Sequence, residues 1–391
     1  MTGNINTIHN ELIEAIKKTN ALACLECGKC TGVCPVSRFS RHYSPRRMLT
    51  SAVRKHFDVL FQDYDLWSCL TCLRCEAVCP SNIKYSELTQ IIRTGAKTSG
   101  FNGKCSHAGA LELLQQIMTT SELKQNRLEW VTDDLEISTT GGEVLYFVGC
   151  APYFDVFFSD LEIHVLDAAL SSIRLLNMLG ITPVLLTDER CCGHDLLWNG
   201  DDDHFRMLAE HNQAVIKQTG AKTILFSCAE CMSAFKNLYP RYGFPIRAEF
   251  RHMSQFLAEK VASGELKLNQ ADGKFTYQDP CRLGRHLGIY AEPRKLLQAN
   301  GADTFHEMEQ NNQGSLCCGV SAWMNCDVTS KKIQTERLRQ AKATGAETLA
   351  VACAKCQIHL VCTMKDRQVN ANYGLKIRDI ASITLERIIS K

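Results

Sequence analysis

Residues 24–35 read CLECGKCTGVCP and residues 69–80 read CLTCLRCEAVCP, the pattern Cys-x2-Cys-x2-Cys-x3-Cys-Pro written twice. A cubane iron–sulfur cluster needs four thiolates, and one tight loop of this spacing supplies three of them. The fourth, before the proline, normally ligates the other cluster when two runs occur together. The spacing therefore assigns Cys24, Cys27, Cys30 and Cys79 to one [4Fe-4S] cubane and Cys69, Cys72, Cys75 and Cys34 to a second. A pair of zinc sites is the alternative, because zinc also takes Cys-x2-Cys. Two complete copies, each with its terminal proline, favour iron.

Upstream of the first run, Ile5, Ile8, Leu12, Ile13 and Ile16 fall at helical spacing within residues 5–22, and Pro45 to Leu60 reads as a helix opening on proline. Runs bracketing short helices predict an α-helical ferredoxin domain over residues 1–95. The stretch GAKTSGFNGKCSHAG (95–109) reads as a linker and begins a connection over 96–141. From Gly142 the pattern alternates: a strand at 144–148, a helix near 161–179, a strand at 182–186, a helix near 205–218 and a strand at 222–226.

Ten further cysteines form two sets of five, each a lone Cys, then Cys-Cys-Gly, then Cys-x-x-Cys. They are Cys150, Cys191, Cys192, Cys228, Cys231 and Cys281, Cys317, Cys318, Cys353, Cys356. Matching members are offset by 131, 126 and 125 residues (150 to 281, 191 to 317, 228 to 353), which marks an internal duplication. It extends past the ligands, since Arg251-His252-Met253 answers to Arg378-Asp379-Ile380. Strand-like residues run up to a cysteine at FVGC (147–150), LFSC (225–228) and VAC (351–353). Such thiols lie beyond the carboxyl ends of strands, where α/β sheets bind ligands. The expected fold class is α/β with an N-terminal α-helical ferredoxin domain and two duplicated α/β repeats, at 142–262 and 263–391. Five thiolates exceed what one cubane uses, so a shared thiolate fits the surplus. A four-cysteine zinc site with a spectator, a vicinal disulfide or buried thiols acting as small hydrophobes are the alternatives.

Lys+Arg of 44 against Asp+Glu of 42 argues against nucleic acid or an anionic membrane surface as the main partner. The N-terminus lacks a secretory pattern, and the apolar stretch 165–186 is broken by Asp167, Arg174, Asn177, Gly180 and Pro183. A cytoplasmic protein is expected, with any membrane link through a partner. In a reducing compartment clustered thiols are metal ligands more often than disulfides.

GKCTGVCPVSRFSRHYSPRRM (28–48) resembles the small subunit of heterodisulfide reductases. FVGC, RCCGHD, FSCAEC, YQDPCRLGRH, LCCGV and ACAKC resemble the two repeats of their CCG-domain catalytic subunit. The resemblance covers nearly the whole chain and implies that each complete five-cysteine set holds a non-cubane [4Fe-4S] cluster, the two facing each other across a disulfide substrate. It also implies kinship with fused subunits that serve glycerol-3-phosphate, glycolate and lactate oxidation, and with subunits of electron-bifurcating or aromatic-ring-reducing complexes.

On that resemblance the chain is an oxidoreductase subunit passing electrons from a flavin-containing partner through two cubanes to two non-cubane clusters and on to a disulfide or similar two-electron acceptor. The alternative is a pure electron-transfer subunit of a larger dehydrogenase, bifurcating or ring-reducing complex. A zinc-stabilised scaffold is a third reading, but a scaffold has no need of the two runs. No Gly-rich dinucleotide fingerprint follows a strand, so electrons must come from a partner. His194 and His286, close after ligand cysteines, are the candidate proton donors; a structurally bonded histidine is the alternative for each. Arg282, Arg285 and Lys355 flank ligands and either meet an anion, balance cluster charge or sit solvated at the surface. Arg38, Arg41, His42, Arg46, Arg47, Arg54 and Lys55 form a basic group, either a solvated face, a docking surface or a charge that raises a nearby cluster's potential. Cys105, Cys326 and Cys362 match no ligand position. Trp67 and Phe226 read as packing residues.

Overall fold

The structure is a computed structural model that describes residues 2–270, 273–299, 301–369, 371 and 373–388, without the side chains of 2–7 and 302. Two compact units result. One comprises the chain up to Ile117 together with Gly193–Arg206 and Gly319–Gln334; the other comprises Met118–Cys192, Met207–Cys318 and the chain from Thr335. Each Cys-Cys-Gly is thus a changeover, its cysteines closing a segment of the second unit and its glycine opening a segment of the first. Gly193 and Gly319 have φ of 75° and 87°, the left-handed region that glycine enters without penalty.

The first unit is helical. Thr2–Lys17 buries Ile8, Leu12 and Ile16, and the helix Tyr85–Thr98 lies against it. A Cβ on Gly95 would meet Leu12 Cδ1 at 2.8 Å, so this glycine serves helix packing, and the helix runs on to Thr98 inside the stretch that reads as a linker. The single helix expected over Pro45 to Leu60 is two, Pro45–Val53 and Phe57–Gln62. Between them Lys55 takes φ 61°, a conformation that ends a right-handed helix. Arg93, fully buried, binds three backbone carbonyls: Leu66 O (3.1 Å), Cys69 O (2.9 Å) and Trp198 O (2.8 Å). It ties the second cysteine run to the helix His194–Trp198.

The second unit holds two three-stranded parallel sheets. One orders β1 (Val144–Phe147), β2 (Thr223–Phe226) and β3 (Glu249–His252); the other orders β4 (Phe275–Tyr277), β5 (Thr348–Val351) and β6 (Lys376–Asp379). Helices cross between parallel strands, so the strands are buried on both faces and read as apolar runs. Leu145, Phe147, Ile224, Leu225, Phe226, Leu349, Ala350 and Val351 are all 0% exposed. Phe235 packs edge-on to Phe147 at 4.6 Å and stacks on Tyr239 at 4.5 Å, sealing the first sheet.

Two expectations shift here. The strand at 182–186 reduces to isolated parallel bridges from Val184 to Leu145 and to Ser138, because Pro183 has no amide to give a ladder. Its counterpart in the second repeat is a lone bridge, Phe275 to Phe305. The helix expected near 161–179 begins at Asp167. The duplication is carried through to the last strands: His252 ends β3 and caps Met253–Ala262 as Asp379 ends β6 and caps Ile380–Glu386.

Candidate metal centres

In the first unit the two cysteine runs fold alike. Cys24 Sγ accepts from Glu26 N (3.4 Å) and Cys69 Sγ from Thr71 N (3.3 Å). Glu26 and Thr71 have φ of 50° and 46°, and Gly28 and Leu73 have 77° and 61°. Three non-glycine residues held left-handed in two short loops are strain of the kind that accumulates where a backbone must curl around a ligand. One cavity is lined by Cys24, Cys27, Cys30 and Cys79 with Arg46 and Tyr85, and another by Cys34, Cys69, Cys72 and Cys75 with Tyr43 and Glu76. Cys75 also reaches the wall of the first. Burial pushes the Cys34 thiol up to about 12, and nearby Cys72 and Cys69 add to that. Cys27 is the exposed member of the eight. Trp67 is 2% exposed and lies under the Arg93 guanidinium at 5.6 Å, so this side of the second run is dry. The basic residues from Arg38 to Lys55 are exposed, with Arg47 paired to Asp65 (2.6 Å) and Asp63 (3.4 Å).

In the second unit all ten remaining ligand candidates come together. Each lone cysteine follows a strand and each Cys-x-x-Cys opens a helix: Cys150 after β1, Cys228 after β2, Cys281 after β4 and Cys353 after β5. Hydrogen-bonded thiols join Cys150 to Cys191, Cys191 to Cys192, Cys192 to Cys231 and Cys231 to Cys228. Cys228 then meets Cys353, and the second set follows in mirrored order through Cys356, Cys318, Cys317 and Cys281. Ten sulfurs form one line whose midpoint is the contact between the repeats. Hydrogen bonds from Cys231 and Cys353 draw the Cys228 thiol well down, and those from Cys317 and Cys356 draw Cys318 down to about 6. Cys353 sits at the opposite end of its bond with Cys228 and rises to about 11. A donor set of ten thiols suits soft, thiolate-bound metal.

Several supporting residues carry no signal in the sequence. Glu189 accepts from Val148 N (3.1 Å) and Gly149 N (2.7 Å) and pairs with Arg127, which also donates to Gly149 O. This buried pair holds the turn that delivers Cys150. Gly149 is left-handed at φ 70°, and a Cβ there would meet Cys231 Sγ at 2.9 Å. His359 Nδ1 lies 3.3 Å from Cys318 Sγ. Lys355 Nζ and Glu230 form an ion pair at 2.8 Å, each seated inside a Cys-x-x-Cys.

Lys355 and Arg282 are each 2% exposed, which overturns the reading that they are solvated at the surface; Arg285 donates to Ser315 O at 2.8 Å. His194 belongs to the first unit and is 1% exposed, its Nδ1 2.9 Å from Asp195 Oδ1, and Asp195 is held in turn by Gln115. His286 belongs to the second unit, with Nε2 against the Arg282 guanidinium. Cys105 donates to Glu112 at 2.7 Å. Phe226 lies fully buried in the sheet, and no described helix is long and apolar enough to cross a membrane.

Residues 144–236 and 275–361 match the cysteine-rich domain family named CCG, and residues 20–83 match the 4Fe-4S dicluster domain family. Two cysteine-rich CCG domains and one 4Fe-4S dicluster domain are thus matched along the chain. Its CCG repeats and dicluster domain together resemble a subunit of the dihydromethanophenazine:CoB–CoM heterodisulfide reductase of Methanosarcina barkeri, at 28% identity over 98% of this chain and 97% of the relative. An EtfAB:quinone oxidoreductase of Syntrophomonas wolfei is 25% identical over 92% of this chain and 57% of its own length. A hypothetical protein from Helicobacter pylori shares the fold with a TM-score of 0.50 at 11% identity, covering 88% of this chain and 66% of its own. The chain is therefore an iron–sulfur protein related to subunits of multi-subunit oxidoreductases.

Proposed function

We propose that this CCG-domain protein is a heterodisulfide-reductase-like electron-transfer subunit carrying four [4Fe-4S] clusters. Cys24, Cys27, Cys30 and Cys79 would hold one cubane and Cys69, Cys72, Cys75 and Cys34 the other. Cys150, Cys191, Cys192, Cys228, Cys231 and Cys281, Cys317, Cys318, Cys353, Cys356 would hold two non-cubane clusters. The observation that carries this is the unbroken line of ten thiols through the two CCG repeats, with Cys228 against Cys353. When bound, the clusters supply single-electron storage at neighbouring positions, which suits an acceptor that needs two electrons, such as a disulfide.

The chain's own residues hold the sites and govern protons. Arg127 and Glu189 fix the Cys150 turn. Arg282 always donates, so His286 Nε2 accepts and the neutral ring carries its proton on Nδ1. His286 is in this way limited to donating a hydrogen bond from Nδ1, since a neutral imidazole has no acidic proton to give, while His194, its Nδ1 bound to Asp195, would give a proton from Nε2 when its ring is the imidazolium. Loss of both roles is read in His194→Ala and His286→Ala: unchanged turnover and an unchanged pH profile would remove the histidines from the reaction.

A second reading is favoured by the likeness to EtfAB:quinone oxidoreductase. In it the chain relays electrons and a flavin-containing partner performs the substrate chemistry. Anaerobic purification with iron and sulfide analysis, followed by EPR with and without a thiol or heterodisulfide, tests both. About sixteen irons per chain, four for each cluster, are expected. A paramagnetic signal induced by the thiol at the CCG sites supports the reductase; full iron with no such signal supports the relay. A protein holding only zinc would sink both.

A further inference from the structure

The two five-cysteine sites are built on matching elements yet sit in unlike electric fields. Cys228-Ala229-Glu230-Cys231 places an acid between two ligands of the first set, and Cys353-Ala354-Lys355-Cys356 places a base at the same position of the second. The difference continues outward. Beside the first set, Arg127 and Arg190 stand against Glu189, Asp188 and Glu230, and each arginine is ion-paired to one of those acids. Beside the second, Arg282, Arg285, Arg294, Arg337 and Lys355 stand against Asp279, Glu307 and Asp379. Arg294 engages both Asp279 (2.7 Å) and Glu307 (2.5 Å). Arg337, fully buried, donates to the neutral acceptors Gln278, Gln310, Gln340 and Ser315.

Reduction adds negative charge to a cluster, so fixed cations nearby raise its potential and fixed anions lower it. Charges held away from water are screened less than those at the surface.

Resting on the cluster assignment proposed above, we infer that the site of Cys281, Cys317, Cys318, Cys353 and Cys356 is the higher-potential member of the pair, so that a single electron given to the pair settles there. The second electron then occupies the site of Cys150, Cys191, Cys192, Cys228 and Cys231. The paired sites are filled in a fixed order, and the Glu230–Lys355 ion pair is a positioning element for that order.

The test is an EPR-monitored redox titration of the anaerobically purified full chain. Steps are assigned by their loss: Cys356→Ser removes the upper one and Cys231→Ser the lower. The two are expected to differ at least tenfold in their reduction equilibria, about 59 mV for one electron. Arg285→Gln lowers the upper step severalfold and leaves the lower in place, and Glu230→Gln raises the lower step. The exchange Glu230→Lys with Lys355→Glu keeps an ion pair, and with it the packing, yet narrows the separation. Were the pair merely structural, the exchange would restore the wild-type separation. That result, coincident wild-type steps, or removal of the upper step by Cys231→Ser overturns the inference. Iron and sulfide analysis made beforehand separates these outcomes from failure of the cluster assignment itself.

Discussion

Asp379→Asn should stabilise the protein, and by more at high pH than at low. Asp379 ends β6, is 5% exposed, and caps Ile380–Glu386 through Oδ1 to Ala381 N at 2.8 Å. Burial pushes its carboxyl up to about 7, Cys353 and Asp167 add to that, and the capping amide opposes it. In the unfolded chain the value is about 3.9. The folded protein therefore holds this proton more tightly than the unfolded chain does. The stability it contributes is intact below about pH 3.9 and is lost as pH rises toward 7. At about 1.4 kcal/mol per pH unit, roughly 2 kcal/mol is gone by pH 5.5 and roughly 4 kcal/mol above pH 7. Asparagine can still accept from the Ala381 amide and carries no charge, so the gain on substitution should grow by about 2 kcal/mol between pH 5.5 and 8.5. Melting of the anaerobic protein and of the variant at pH 5.5, 7 and 8.5 reads this directly. An equal gain at all three values, or a loss at pH 8.5, would refute the burial argument.

Three further outcomes are expected. Cys79→Ser should abolish the EPR signal of the cubane held by Cys24, Cys27 and Cys30 and spare that of Cys69, Cys72 and Cys75, with Cys34→Ser doing the reverse; loss of the partner in the same run instead would exclude crossed ligation. Gly149→Ala puts a side chain at φ 70° and 2.9 Å from Cys231 Sγ, at a backbone cost of about 1–3 kcal/mol, so iron should fall by about four per chain while the cubane signals persist. Retention of full iron would show that the Cys231 thiol can move aside. Arg93→Met strands the carbonyls of Leu66, Cys69 and Trp198 and should cost about 3–5 kcal/mol in denaturant unfolding, with the Cys69 cubane lost first; a change below about 1 kcal/mol would mean that water replaces the guanidinium.

The cysteine patterns were legible because the spacing that cluster ligation needs is local. Cys-x-x-Cys and Cys-Cys-Gly have spacings set by backbone reach, and strand-like residues ahead of Cys150, Cys228 and Cys353 mark the carboxyl ends of strands without any knowledge of the sheet. The duplication followed from matched offsets alone. The helix break at Lys55 and the reduction of 182–186 to a bridge at Val184 were not legible to pattern reading, since periodicity carries across a single left-handed residue and apolar character does not reveal a missing ladder partner.

The sequence by itself determined which thiols form each set and that the set of five occurs twice, because each thiol's place depends on its near neighbours in the chain. Only the tertiary structure decided what surrounds them. Glu189 meeting Arg127, His359 meeting Cys318, and Arg282 and Lys355 being buried all depend on distant segments packing together. The offset of 125 residues makes Glu230 and Lys355 equivalent positions, but equivalence is not contact. Their meeting at 2.8 Å, beside Cys228 against Cys353, arises because the two repeats bring their Cys-x-x-Cys helix starts face to face, and a periodic sequence holds no trace of that geometry.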